Sequence, residues 1–226
     1  MHYTFVPVRD SRRTQRSNKL YDRGVKGLTA YVLAGGKSTR MGADKAFLRF
    51  GDETLIEHAV RLARTVAENV GIVGDSRKFA AFSAAVVEDV YRSRGPLGGI
   101  HAALSASESE LNLVLAVDMP LMKSDFLSYL VAQARESRAI VTVPHAGGSF
   151  QPLCAVYGKN FAKLAKESLE AGNNKIDPLF RKVSTRIIAE EELLRAGFSA
   201  ELFRNLNTPE DLESARNRLV DGDFRF

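Results

Sequence analysis

The run Leu28-Thr29-Ala30-Tyr31-Val32-Leu33 breaks directly into a loop crowded with glycine and positive charge, Gly35-Gly36-Lys37-Ser38-Thr39-Arg40-Met41-Gly42-Ala43-Asp44-Lys45. A buried strand that feeds a glycine loop and then a helical pattern is the opening unit of a parallel α/β sheet. Glycines after such a strand reach positive φ and let backbone N–H groups approach an anion, while Lys37, Arg40 and Lys45 add charge. The loop reads as a phosphate cradle, with a tight turn carrying solvated lysines as the plain alternative. Spacing excludes two common phosphate loops. A P-loop needs glycine at position 31, where Tyr31 stands, and a dinucleotide fingerprint needs glycine where Lys37 and Arg40 stand.

The alternation continues along the chain. Apolar residues at helical spacing predict a helix over 55–67, with Thr54 as cap and Glu57 three residues on. Strands are expected over 69–73 and 85–87, with a short helical piece at 78–83 between them. Gly95-Pro96-Leu97-Gly98-Gly99 reads as a second flexible turn, leading into a helix through Leu104. The run 111–117 is apolar enough for a central strand buried on both faces, and it stops at Asp118-Met119-Pro120. A helix over 124–136 capped by Ser124, a strand over 139–143, a β segment within 144–157 and a helix over 160–171 follow. A short helix near Asp177-Pro178, a strand over 185–188 and a final helix opening at Thr208-Pro209 complete the pattern. The expected fold class is α/β: Rossmann-like, three-layer α/β/α, with a mostly parallel sheet.

With 226 residues, the working count is one domain, 28–226, divided into a nucleotide-binding part (28–143) and an acceptor-binding part (144–226). The chain carries +5 at pI near 9.4, which alone would suggest nucleic acid or a membrane surface. Residues 1–27 hold seven bases and two acids, which is already +5, so 28–226 balance at 25 of each sign. The expectation is therefore no nucleic acid and no membrane. Residues 1–27 form a basic extension that reads as a disordered arm, a docking segment or upstream sequence brought in by the choice of start codon. No apolar run approaches the roughly 20 residues of a membrane span, so a cytoplasmic protein is expected. The single cysteine, Cys154, in an apolar stretch, reads as a core thiol and rules out an internal disulfide.

Asp118 ends the most apolar strand, where open α/β sheets place ligands, and a lone carboxylate there suits Mg²⁺ completed by phosphates and water. It could instead be a turn aspartate before Pro120. Asp89 ends another strand and reads as a ribose or base contact or a solvated turn residue. Asn205 and Asn207 share one face of an extended segment and could bind oxygens or merely cap the last helix. His2, His58, His101 and His145 form no recognisable nucleophile and base pair. A reaction needing neither fits best, and phosphoryl or nucleotidyl transfer to an already anionic phosphate is one.

In order and spacing, Leu33–Lys45 (LAGGKSTRMGADK), Gly95–Gly99 (GPLGG), Val117–Pro120 (VDMP), Gln151–Leu153 (QPL) and Asn205–Leu212 (NLNTPEDL) resemble the molybdenum cofactor guanylyltransferases. The resemblance spans roughly 28–219 and implies a GT-A-like nucleotidyltransferase fold. It also implies GTP and molybdenum-molybdopterin as substrates and Mg²⁺ as cofactor. It leaves room for transient contacts with cofactor-biosynthesis proteins or molybdoenzyme chaperones. By that resemblance Leu33, Ala34, Gly35, Gly36, Lys45, Asp89, Gly95, Pro96, Leu97 and Asp118 bind the nucleotide. Arg40, Lys45 and Asp118 are catalytic and Asp118 holds the metal, while Gln151, Lys175, Asn205 and Asn207 face the acceptor. One departure is Gly74, where family members often carry an asparagine that contacts the nucleotide. Alternatives are a CTP-dependent molybdopterin cytidylyltransferase, a cobinamide-phosphate guanylyltransferase, or a non-catalytic nucleotide-binding module.

Overall fold

A computed structural model describes residues 27–35, 44–91 and 94–220. The basic residues at 1–26 and the loop residues Gly36, Lys37 and Arg40 lie outside the described residues.

Strand β1 (Leu28–Leu33) is buried along its whole length and pairs in parallel with β4 (Asn69–Val73) on one side and β6 (Leu111–Ala116) on the other. Between β1 and β4 the chain makes a 3₁₀ turn (Lys45–Phe47), a small hairpin β2 (Arg49–Phe50) and β3 (Glu53–Thr54), and helix α1 (Leu55–Arg64). Thr54 and Glu57 form the expected reciprocal cap: the Thr54 hydroxyl accepts from the Glu57 N–H, and the Glu57 carboxylate accepts from the Thr54 N–H at 2.7 Å. Helix α2 (Ser76–Phe79) starts two residues before the expected 78, because Asp75 caps it by accepting the Arg77 N–H at 3.0 Å. Strand β5 (Ala85–Val87) then extends the parallel ladder beyond β4.

Helix α3 (Pro96–Ala106) absorbs most of the expected second turn: Pro96 to Gly99 are its first helical residues, and Gly95, at φ 71°, is the residue that turns the chain into it. Helix α4 (Ser124–Ser137) opens after Lys123 rather than after a capping Ser124; Ser124 is its first helical residue and caps nothing. It ends in a left-handed Arg138, and the chain leaves that cap before pairing begins. Strand β7 (Val141–Ala146) therefore starts two residues later than the sequence pattern suggested.

Strand β8 (Ser149–Phe150) folds back on β7, and β9 (Cys154–Gly158) enters antiparallel between β6 and β7. The link from β7 is too short for a parallel crossover, which needs a dozen or more residues, so antiparallel pairing is the available solution. Helices α5 (Phe161–Glu170) and α6 (Asp177–Phe180), strand β10 (Thr185–Ile188), helix α7 (Glu190–Arg195), a 3₁₀ turn (Ala200–Phe203) and helix α8 (Pro209–Val220) follow. Among the described residues the main sheet has eight strands, ordered β10-β7-β9-β6-β1-β4-β5 with β8 beside β7. It is parallel except at β8 and β9.

Two apolar clusters cover the two sheet faces. One joins residues of α1, α4, α7 and the C-terminal elements, the other α3, α5 and α6. The expected α/β/α layering is what forms. Cys154 is fully buried in the first cluster and burial pushes its thiol pKa far up, in keeping with a core thiol. No described helix is long and apolar enough to cross a membrane.

Candidate active site

The carboxyl edge of the parallel strands gathers the ends of β1, β4, β5, β6 and β7, where the topology brings loop residues together. Ala34, just past β1, donates its N–H to the Val73 carbonyl at 2.9 Å, so the first loop leaves the sheet beside the end of β4. Asp44 closes that loop. Its carboxylate accepts from the Ala46 N–H at 3.2 Å and pairs with Lys78 of α2 at 2.5 Å.

Lys45 begins the 3₁₀ turn, and its ammonium reaches across the edge to Asp118, with Nζ 3.6 Å from Oδ2. The same nitrogen donates to the Leu206 carbonyl at 2.5 Å and to Asn207 Oδ1 at 3.3 Å. The Leu206 N–H in turn donates to the Asp118 carbonyl at 2.9 Å. Lys45, Asp118 and the segment 205–207 thus form one constellation, although 161 residues separate Lys45 from Leu206. Leu206 is the buried anchor of that segment, while Asn205 and Asn207 are exposed on either side, the alternation expected from the sequence. Asp118 is only partly exposed. Burial raises its pKa above the ordinary carboxylate value, and the positive charge of Lys45 opposes that rise.

Asp89 lies two residues past β5 and accepts the Tyr91 N–H at 2.8 Å. Its carboxylate rests against Gly98 in the first turn of α3. Gly99, the next residue, faces Leu33 and Val73, 3.5 Å and 3.9 Å from where a Cβ would stand. Of the two helical glycines, Gly98 answers a close approach, that of the Asp89 carboxylate, whereas a Cβ at 99 would meet Leu33 and Val73 at ordinary contact distance. The Leu33 and Leu97 side chains belong to the core, so those residues have only backbone to offer a ligand, whereas Pro96, Gly95 and Gly35 are exposed. Gly74, at the end of β4, leaves room for Phe79: a Cβ there would stand 2.6 Å from the buried ring, which in turn stacks on the exposed Phe47 at 5.5 Å.

The expected acceptor residues are more dispersed. Gln151 uses its side-chain amide inside its own hairpin, donating to the Ala146 carbonyl at 3.0 Å, although Leu153, two residues on, pairs with Ala116 beside Asp118. Lys175 is exposed in the turn between α5 and α6, a turn whose Gly172 approaches the Arg94 guanidinium next to Gly95.

Sequence reasoning passed over one supporting arrangement. His58 of α1 is 1 % exposed, its Nδ1 lies 2.8 Å from Glu53 Oε1, and Arg61 binds both carboxylate oxygens of Glu53 at 2.6 Å and 3.1 Å. The Pro120 carbonyl, two residues beyond Asp118, faces the same ring. In the sequence His58 reads only as a residue of the helix over 55–67, with no signal for these partners.

A lysine paired with a half-buried carboxylate at the carboxyl edge of a parallel sheet, beside a glycine-ended first strand, defines the class, an α/β protein with its ligand site at that edge. The chain matches the family described as the MobA-like NTP transferase domain over residues 30–186 and belongs to that family; it is a nucleotidyltransferase. Two curated relatives carry the name "Probable molybdenum cofactor guanylyltransferase". One, from Flavobacterium johnsoniae, is 33% identical over 165 residues, covering 73% of this chain and 86% of its own. The other, from Pelotomaculum thermopropionicum, is 36% identical over 189 residues, covering 83% of this chain and 91% of its own. Among solved structures, the molybdopterin-guanine dinucleotide biosynthesis protein A of Archaeoglobus fulgidus shares the fold at TM-score 0.75 and 24% identity, covering 85% of this chain and 99% of its own.

Proposed function

We propose that this chain transfers GMP from GTP to the terminal phosphate of molybdenum-molybdopterin, with residues 28–143 holding the nucleotide and 144–226 the acceptor. The observation that carries the reading is the Lys45 and Asp118 pair at the sheet edge, tied to the 205–207 segment. The names of the relatives from Flavobacterium johnsoniae and Pelotomaculum thermopropionicum support the choice of nucleotide and acceptor.

A phosphate oxygen of the acceptor bonds to the α-phosphorus of GTP, the bond from that phosphorus to the bridging oxygen breaks, and pyrophosphate leaves with the electron pair. The acceptor is anionic at neutral pH, so the protein needs no base; it positions two anions and offsets their repulsion. Lys45, held by Leu206 and Asn207, meets the phosphates with a fixed charge. The exposed backbone at Gly35 and Gly95 allows close approach of the nucleotide beside the partly buried Ala34, and the Asp89 carboxylate accepts from nucleoside hydroxyls. Gly36 and Arg40 belong to the same loop.

The donor set fits Mg²⁺. Among the described residues no cluster of three metal-ligating side chains occurs; Asp118 offers a partly exposed carboxylate beside Lys45, while the Asp44 carboxylate is taken up by the Ala46 N–H and Lys78. Mg²⁺ takes one or two protein carboxylates and completes its shell with phosphates and water. Bound at Asp118, it would supply charge stabilisation to the phosphoryl group under attack.

Nucleotide-dependent pyrophosphate release, measured with molybdopterin as acceptor and GTP or CTP as donor, tests the reading. GTP should be preferred by at least about tenfold, and Asp118→Ala should reduce turnover by about 10³-fold with the fold retained, the scale of removing a main electrostatic stabiliser. Preference for CTP would overturn the nucleotide choice, and unchanged turnover in the variant would overturn the role of Asp118.

A further inference from the structure

We infer that Gly98 is a positioning residue of the nucleotide site, the missing side chain that seats the Asp89 carboxylate on the first turn of α3. The inference rests on the proposed contact of Asp89 with the nucleoside. A Cβ built at 98 would stand 2.5 Å from Asp89 Oδ2, 2.9 Å from Oδ1 and 3.0 Å from the carboxyl carbon, well inside contact distance for all three atoms. Gly98 is buried and helical, with no unusual φ to demand glycine. In such a place alanine is the better helix former by about 1 kcal/mol, so the glycine needs a tertiary reason. The carboxylate is that reason.

The seat fixes Asp89 from two directions. Tyr91 donates its N–H to Oδ1 at 2.8 Å, and the first turn of α3 presents the positive end of an eleven-residue helix to the negative group. The neighbouring Gly99 faces Leu33, the last residue of β1, 3.5 Å from where a Cβ would stand, so the same turn packs on the end of that strand. The carboxylate is therefore held at the junction of the β5 loop, the α3 turn and the end of β1, where the nucleoside is proposed to lie. Because Asp89 is the free end of a short side chain and the helix is packed backbone, a methyl at 98 displaces the carboxylate and leaves the helix in place. The penalty falls on nucleotide binding and spares folding.

A double-mutant cycle on the full chain tests this, with Gly98→Ala and Asp89→Ala made singly and together. Each variant is followed by thermal unfolding, by calorimetric GTP and CTP binding, and by steady-state turnover. Gly98→Ala alone should raise the Kd and KM for nucleotide about tenfold, leave kcat within about twofold, and leave Tm near the parent value, as helix gain and the lost Tyr91 bond offset each other. In the Asp89→Ala background the same change should leave nucleotide affinity within about twofold and raise Tm. Unchanged nucleotide affinity in Gly98→Ala would overturn the inference, as would the same fall in Tm in both backgrounds. The cycle in Tm needs no particular nucleotide. A preference for CTP would thus undo the guanylyl reading while leaving the seat intact.

Discussion

His58 shows at the scale of one residue how burial sets the behaviour of a titratable group. Its ring is enclosed by the edge of Phe50, with centroids 5.3 Å apart, by the Glu53 carboxylate clamped by Arg61, and by the Pro120 carbonyl. Burial disfavours the charged ring and pushes its pKa below the ordinary 6.5, and the attraction of Glu53 and of the Pro120 carbonyl restores only part of the loss. The unfolded chain therefore takes up the proton more readily than the folded one. The sign follows: stability is complete above the ordinary histidine value and falls as pH drops below it towards the folded pKa. Between about pH 7 and pH 5, the unfolding free energy of the parent should fall more steeply than that of His58→Phe, the difference approaching at most about 1.4 kcal/mol per pH unit. Urea titrations at a series of pH values measure both slopes. Parallel slopes would mean that folding leaves the proton affinity of His58 unchanged.

Helix α8 shows how an element carries a site residue. Thr208 and Asp211 cap each other: Asp211 Oδ2 accepts the N–H of Asn207 at 2.9 Å and of Thr208 at 3.0 Å, and the Asp211 N–H donates to the Thr208 hydroxyl at 3.2 Å. The Asn207 N–H is the first cause of a lowered Asp211 pKa, so this bond fades only as pH falls through a value below the usual carboxylate range. Asp211→Ala should therefore loosen the 205–208 segment at neutral pH, seen as faster amide exchange at Asn207 and Thr208 and a several-fold loss of turnover. Exchange rates should converge with those of the parent in strong acid, and unchanged exchange at neutral pH would refute the cap. The start of α8 was readable in Thr208-Pro209, and the start of α1 in Thr54 and Glu57, because both signals are local. The first turn of α3 was not: Gly98 and Gly99 read as a turn on propensity, and only Asp89, nine residues earlier, explains glycine at 98 within a helix. For the same reason Asp118 was legible at the end of an apolar strand, while the Leu206 carbonyl that fixes its partner Lys45 had no sequence signal.

For the molecule as a whole, the charge distribution and the sheet lead to one conclusion. All of the formal +5 is carried by residues 1–27, and the remainder balances at 25 charges of each sign. The folded edge keeps its positive groups local, with Lys45 held against Asp118 and Lys78 against Asp44. Such an arrangement suits the compact triphosphate of the proposed reaction; a broad polyanion surface would need bases spread over one face. Among the described residues, β1 begins at Leu28 and is paired on both sides from Thr29 onward. A chain beginning at Gly27 should thus fold with a Tm within a few degrees of the full chain and lose retention on a cation exchanger. Its kcat/KM for GTP should stay within about threefold at physiological ionic strength. At low salt the full chain should hold a modest advantage, because a segment of charge +5 attracts a triphosphate over a longer Debye length. A tenfold loss that persists at physiological salt would place a base of the first 26 residues in the site itself, and the nucleotide would then be held by more than the sheet edge.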